Sequence, residues 1–236
     1  MDKKIGIFDS GIGGLTTLKE IRKILPNEDY IYYADSKNNP FGEKSKKKLS
    51  IIVHNIVDEL LKYDIKLIVI ACNTATTRFI NVLRKDYPNI LFVGVEPAIK
   101  VACDDNYKNI LLMATPNTIS SKRTKELINK NKSSDQNIYM LPCEGLANAI
   151  ENNNKNKIDE ILSINLSKYK YYNIDSVVLG CTHYPIIKSK IKRYFPNSKI
   201  IDGNIGTAKR VKYLLEENNL LNTKKEKGSL KFIQTK

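Results

Sequence analysis

The sequence predicts an α/β chain folded as two similar domains, each built on a mostly parallel sheet, with the working site in the cleft between them. Three observations carry this. Short β-branched runs alternate with amphipathic helical stretches, the pattern of parallel sheets covered on both faces. Two apolar runs end directly in a cysteine followed by small polar residues, Val69-Ile70-Ala71-Cys72-Asn73-Thr74 and Val178-Leu179-Gly180-Cys181-Thr182-His183, which gives the halves a loose internal correspondence. The 236 residues, 42% of them hydrophobic, supply enough apolar material for two cores. The expected division is 1–97 with 206–236 for the first domain and 98–205 for the second.

Taken in order, the strands are expected at Lys4 to Phe8, Asp29 to Ala34, Lys66 to Ala71, Ile90 to Val95, Asn109 to Ala114, Asn137 to Leu141, Ser176 to Gly180 and Lys199 to Ile201. Between the second and third, Leu49, Ile52, Val53, Ile56, Val57, Leu60 and Leu61 recur at three- and four-residue spacing. They share one helix face, with Lys46, Asn55 and Glu59 elsewhere. In open parallel sheets chemistry sits at the carboxyl ends of strands, so each cysteine segment falls at the functional edge of its own half. The polar stretches 151–157 and 223–228 read as loops or a solvated helix start.

Composition narrows the function. No run approaches the roughly 20 apolar residues of a membrane-spanning helix, and the start, MDKKIGIFDS, lacks a secretory signal's apolar region, so the expected location is the cytoplasm. Four cysteines, Cys72, Cys103, Cys143 and Cys181, are then expected as reduced thiols, with Cys103 and Cys143 as small buried hydrophobes. The net charge of +14 raises the question of nucleic acid, but 33 of the 39 basic residues are Lys and 6 are Arg. Lys lacks the planar fork that favours Arg in phosphate and base recognition. Nucleic acid is not the expected partner.

Ile5-Gly6-Ile7-Phe8-Asp9-Ser10-Gly11-Ile12-Gly13-Gly14 is a strand leading into a glycine-rich turn. It matches neither nucleotide template, because Leu15-Thr16 stands where a P-loop needs Lys-Ser/Thr, and Thr16 where the dinucleotide fingerprint needs glycine. What is left is a turn whose glycines let the backbone approach a ligand, with Asp9 as either a helix cap or a catalytic group. Asn39-Pro40-Phe41-Gly42-Glu43-Lys44-Ser45 is a turn into the amphipathic helix, and the amides of Phe41 and Gly42 near a helix start suit a carboxylate. Each cysteine segment places a thiol after a buried-type strand and before helix amides that favour a thiolate; a structural cysteine is the alternative at either position. Two histidines and no Cys-x-x-Cys argue against zinc. A Cys-His-acid hydrolase with His183 as base would leave Cys72 without a role.

Together these motifs resemble the glutamate racemases of the aspartate/glutamate racemase superfamily. The resemblance spans nearly the whole chain: Asp9-Ser10-Gly11-Ile12-Gly13-Gly14, Pro40-Phe41-Gly42 with Ser45, Ala71-Cys72-Asn73-Thr74-Ala75, Val95-Glu96-Pro97-Ala98, Gly180-Cys181-Thr182-His183-Tyr184-Pro185 and Ile201-Asp202-Gly203. It implies two Rossmann-like domains meeting over the active site, no cofactor, and D-glutamate supplied to bacterial peptidoglycan and so to cell-wall biogenesis and cell shape. It implies that Cys72 exchanges the α-proton of the D-isomer and Cys181 that of the L-isomer, with Asp9 assisting the first thiol and His183 the second. Ser10, the Pro40 to Gly42 turn, Asn73, Thr74 and Thr182 would hold the amino and carboxylate groups. Glu151 would be a further acidic residue, and Thr115 and Thr118 would belong to the side-chain carboxylate pocket. Aspartate racemase, and a catalytically silent regulatory or nucleic-acid-binding protein on the same scaffold, are the alternatives.

The sequence departs from that pattern in Phe41, where many relatives have Tyr, in a compact connection at 130–136, and in a chain end soon after Leu230-Lys231-Phe232-Ile233 where relatives continue into a last helix. The short end bears on a possible homodimer. The chemistry fits the residue types. Racemisation removes a weakly acidic α-proton on one face and returns one on the other, so a thiolate and a thiol must flank the substrate. Without a cofactor to delocalise the carbanion, pre-aligned donors must stabilise the developing charge.

Overall fold

The computed structural model describes residues 3–236. Within them nine strands and ten α-helices follow one another along the chain. The first sheet's elements come first: β1 (Lys4–Asp9), α1 (Leu15–Ile24), β2 (Tyr30–Ala34), α2 (Lys46–Leu61), β3 (Ile65–Ile70), α3 (Asn73–Asp86) and β4 (Leu91–Gly94). After α4 (Ile99–Asp104) the second sheet is built from β5 (Asn109–Ala114), α5 (Pro116–Ile119), α6 (Lys122–Asn131), β6 (Asn137–Pro142), α7 (Leu146–Glu151), α8 (Lys155–Leu166), β7 (Ser176–Gly180), α9 (Lys188–Tyr194) and β8 (Lys199–Asp202). The chain then returns through α10 (Asn204–Glu217) to end in β9 (Leu230–Gln234).

The strand orders are β4-β3-β1-β2-β9 and β6-β5-β7-β8, and every pairing is parallel. Successive side chains of a strand face opposite sides, and both sheets are buried on both sides. In the first, Phe8, Ile68 and Ile70 join α2 and α3 in one core, while Ile5, Ile7, Leu67 and Val69 join α1 and α10 in another. In the second, Leu111, Met113, Val177 and Leu179 face one core, and Ile110, Leu112 and Val178 the other. The helix face expected between the second and third strands is present: Leu49, Ile52, Val53, Ile56, Val57 and Leu60 of α2 are buried, and Leu61 is half-buried at the end.

The parity of these strands places the chemistry. Cys72 continues the row Ile68, Ile70, and Cys181 continues the row Val177, Leu179, so each thiol stands at the carboxyl end of a central strand on a fixed face. The chain crosses between the sheets twice, after β4 and after β8. At Gly203 the crossings touch, since a Cβ there would run into the carbonyl of Glu96.

One strand was not expected. Residues 230–234 form β9, an added edge beside β2 in register Tyr30↔Leu230 to Ala34↔Gln234. Its sequence, LKFIQ, alternates too little for a periodicity argument, and Leu230 and Phe232 stay partly exposed. Tertiary bonds hold it. Phe232 stacks on Tyr32, Asp29 accepts from Ser229 and pairs with Lys224, and Thr235 donates to Asp35. Deeper in, the buried Lys66 Nζ pairs with Glu28 at 2.6 Å and donates to Leu220 O and Asn222 Oδ1, pinning the segment before β9 under the first sheet. Among the described residues no helix is long and apolar enough to cross a membrane.

Candidate active site

The carboxyl ends of the two sheets face one another across a narrow pocket. The first sheet contributes Asp9, Ser10, Pro40, Phe41, Gly42, Cys72, Asn73 and Thr74; the second contributes Thr115, Ala147, Cys181, Thr182 and His183. A larger hollow at the chain crossings, lined by Glu96, Lys100, Asp202 and Arg210 among others, contains no thiol, so the chemistry selects the smaller space.

Cys72 is the N-cap residue of α3, with extended backbone (φ −144°, ψ 115°), and its carbonyl accepts the Thr76 amide. Burial, and then the charge of Asp9, push its thiol well above the ordinary range, against the pull of the Ala75 amide. The helix amide pulls toward the thiolate as expected, but at a fully buried position desolvation outweighs it. Asp9 lies at the end of β1 and is wholly buried. It accepts from the Ser10 amide at 2.7 Å and from Thr182 Oγ1 at 2.9 Å, and it lines the same pocket as Cys72. Burial raises its carboxyl above the usual value although His183, Ser10 and Thr182 pull the other way. Asp9 caps no helix, because α1 begins at Leu15 behind Gly14.

Cys181 is followed by a turn and a short 3₁₀ helix, Tyr184–Ile187, rather than directly by an α-helix. Its partner is a side chain. His183 Nδ1 lies 3.8 Å from Cys181 Sγ and Nε2 lies 2.6 Å from Glu151 Oε2. Burial alone would lower the imidazole, but the bonds to Cys181 and Glu151 outweigh it and raise His183 to about 10. The imidazole is therefore positive at neutral pH. Glu151, at the last turn of α7, also accepts the Ile12 amide at 3.0 and 3.2 Å, so the position that opens a polar loop stretch faces inward.

The glycine turn also makes room for residues of the other half. A Cβ on Gly11 would strike the Glu151 carboxylate, and one on Gly13 would lie 2.6 Å from His183 Nδ1 and 2.8 Å from Thr182 Oγ1. The backbone here closely approaches the opposite half of the protein. Tyr32 supports it from below by donating to Gly11 O at 2.7 Å.

Phe41–Glu43 forms a separate 3₁₀ turn, while α2 starts only after Ser45, whose hydroxyl caps it by accepting from Lys48 N. The Phe41 and Gly42 amides thus belong to that turn and not to the long helix. Thr74, Thr115 and Thr118 form a hydroxyl cluster with O···O distances of 2.9, 3.0 and 3.3 Å; Thr118 stands behind the other two. Asn73 reaches Val95 O at 3.4 Å. Sequence reasoning missed Ala147, Tyr32 and Thr16, whose hydroxyl bridges Gly13 O and Thr182 O; such supporting roles carry no local signal. Cys103 and Cys143 are buried in the cores, and among the described residues no group of three or more His, Cys, Asp or Glu could hold a metal.

The comparisons with known proteins agree with this geometry. The chain is 44% identical to a glutamate racemase of Clostridium botulinum over 100% of this chain and 93% of that one. It is similar in structure to a glutamate racemase from Francisella tularensis solved with D-glutamate (TM-score 0.86, 33% identity, 100% and 89% coverage). It is likewise similar to a glutamate racemase isoform from Bacillus anthracis (TM-score 0.88, 28% identity, 99% and 89% coverage). The family model for Asp/Glu/hydantoin racemases matches residues 16–211, and with these full-length relatives it follows that the chain belongs to that family, among the glutamate racemases.

Proposed function

We propose that this protein interconverts L- and D-glutamate by proton transfer between Cys72 and Cys181 across the substrate's α-carbon, without a cofactor. The carrying observation is that two buried thiols from two different sheets line one pocket, each with its own proton-handling partner: Asp9 beside Cys72, and the His183–Glu151 pair beside Cys181.

The resting charge states suit the L-to-D direction. Cys72 keeps its proton and is poised as the acid, and the positive His183 stands beside Cys181 on the side where the base must act. The Cys181 thiolate takes the α-proton of L-glutamate, and Cys72 delivers its own proton to the opposite face, leaving Cys181 as thiol and Cys72 as thiolate. In the reverse direction Asp9 accepts the Cys72 proton while His183 gives one to Cys181, so that Cys72 is the base and Cys181 the acid. Carbanion charge develops on the α-carboxylate, where the Asn73 side chain and the turn amides act as pre-aligned donors worth a few kcal/mol, while the Thr182 hydroxyl, which lines the pocket, donates its hydrogen bond to Asp9. The Thr74, Thr115 and Thr118 hydroxyls receive the side-chain carboxylate, which supports glutamate as the substrate. The product serves peptidoglycan synthesis in the cytoplasm.

The test is α-proton exchange of L- and D-glutamate in heavy water, read by NMR and circular dichroism, for wild type, Cys72→Ser and Cys181→Ser. Wild type is expected to exchange and racemise, and each variant to lose racemisation. Exchange of aspartate with glutamate inert would replace the substrate; exchange of neither would overturn the reading.

A further inference from the structure

The reactive groups are shut away: Asp9 is 0%, Cys72 6%, Cys181 6% and His183 2% exposed. A substrate reaches them only when the two halves part, so the contacts that hold the halves together govern both entry and the life of the bound state. One such contact stands outside the pocket lining. Asn117, half-buried on α5 between Thr115 and Thr118, donates from Nδ2 to Lys44 O at 3.0 Å and to Phe41 O at 3.4 Å. Those carbonyls belong to the turn that walls the pocket with Phe41 and Gly42. On its other side Asn117 Oδ1 accepts from Arg78 Nη2 at 3.0 Å, and the same guanidinium nitrogen reaches Asn117 O and Ser120 Oγ.

The orientation of this amide follows from chemistry. A guanidinium has only donors and a carbonyl only acceptors, so the amide oxygen must face Arg78 and the amide nitrogen the turn. Arg78 lies on α3, one turn beyond Thr74, and the 41–44 turn also belongs to the first sheet's half. Asn117 is the second half's reach into both. Arg78 Nε stays buried with no hydrogen-bond partner among the described residues, so the side chain is held for what Nη2 contacts and not for its own complete pairing. The surfaces meet closely, since a Cβ on Gly42 would lie 2.7 Å from Thr115 Cβ.

We infer that Asn117, held in place by Arg78, is a positioning residue that latches the second half onto the 41–44 turn and keeps the cleft closed around the bound amino acid. The latch lies two residues from Thr115 and one from Thr118, so binding of a side-chain carboxylate at those hydroxyls and closing of the latch order the same short helix. The inference rests on the proposed use of the cleft as the racemisation site.

The test is the alkylation rate of each cysteine by iodoacetamide, followed peptide by peptide, in wild type, Asn117→Ala and Asn117→Asp. The carboxylate of Asn117→Asp keeps an oxygen for Arg78 but loses both donors to the turn. Loss of two neutral hydrogen bonds in the closed state predicts about tenfold faster labelling of Cys72 and Cys181 in both variants. Cys143, 1% exposed in the second sheet's core, is expected to be unchanged. KM for D-glutamate rises by a similar factor with a smaller change in kcat. Labelling of Asn117→Asp at the wild-type rate would reduce Asn117 to a structural partner of Arg78, and Cys143 rising in step would show general loosening; either result overturns the latch. Labelling needs no turnover, so a protein that labels as expected but exchanges no α-proton refutes the function while leaving the latch standing.

Discussion

Gly13→Ala isolates what the glycine turn does. Among the described glycines only Gly145 has positive φ, so alanine meets no backbone strain at position 13. The new methyl would sit 2.6 Å from His183 Nδ1, 2.8 Å from Thr182 Oγ1 and 2.9 Å from His183 Cε1. Ordinary contact needs about 3.4 Å or more, so the halves must separate by several tenths of an ångström or the imidazole must retreat. Retreat is blocked, because Glu151 holds the ring from its far side at 2.6 Å. Overpacking of this kind costs about 1–3 kcal/mol. Here the closed site bears that cost and not the folded core, so kcat/KM is expected to fall roughly 5- to 150-fold with little change in Tm. Gly206→Ala on α10 is the control: nothing lies within 4 Å of its Cβ, so activity should hold and stability rise by roughly 0.5–1 kcal/mol. Steady-state kinetics and thermal melts of the two variants decide the matter. Wild-type kcat/KM in Gly13→Ala would refute the claim that backbone proximity across the cleft is the reason for glycine.

Two further outcomes concern pH and stability. His183 is raised from 6.5 to about 10 in the folded protein, so the stability it contributes is complete below pH 6.5 and is lost as pH rises through about 10; Tm should fall more steeply between pH 7 and 10 in wild type than in His183→Asn, and parallel slopes would remove the protonated imidazole from the account. Lys66→Met should destabilise by about 3–5 kcal/mol because it strands the buried Glu28, and Glu28→Gln added to it should restore part of that loss in denaturant melts.

The strands that carry the chemistry were legible because buried parallel strands leave continuous β-branched runs: Asn109–Ala114 and Ser176–Gly180 appear at the expected bounds, the strand before Cys72 is shifted by one residue, and the strand ending at Gly94 is one residue shorter at each end. β9 was not legible. Its residues are largely exposed, and it is a strand because β2 offers an edge and Asp29, Tyr32 and Asp35 hold it there.

By itself the sequence determined the α/β class, the pairing of each thiol with a strand end, and the motifs by which the chain resembles its family. Those features are local, written in periodicity and in the order of neighbouring residues. Only the tertiary structure decided that Thr182 donates to Asp9 across 173 residues, that Glu151 joins His183 to the Ile12 amide, that Gly11 and Gly13 make room for the opposite half, and that Cys72 is held protonated. The physical reason is common to all four. Desolvation and close approach depend on what two distant segments exclude when they meet, and no local pattern records the partner that a residue will face.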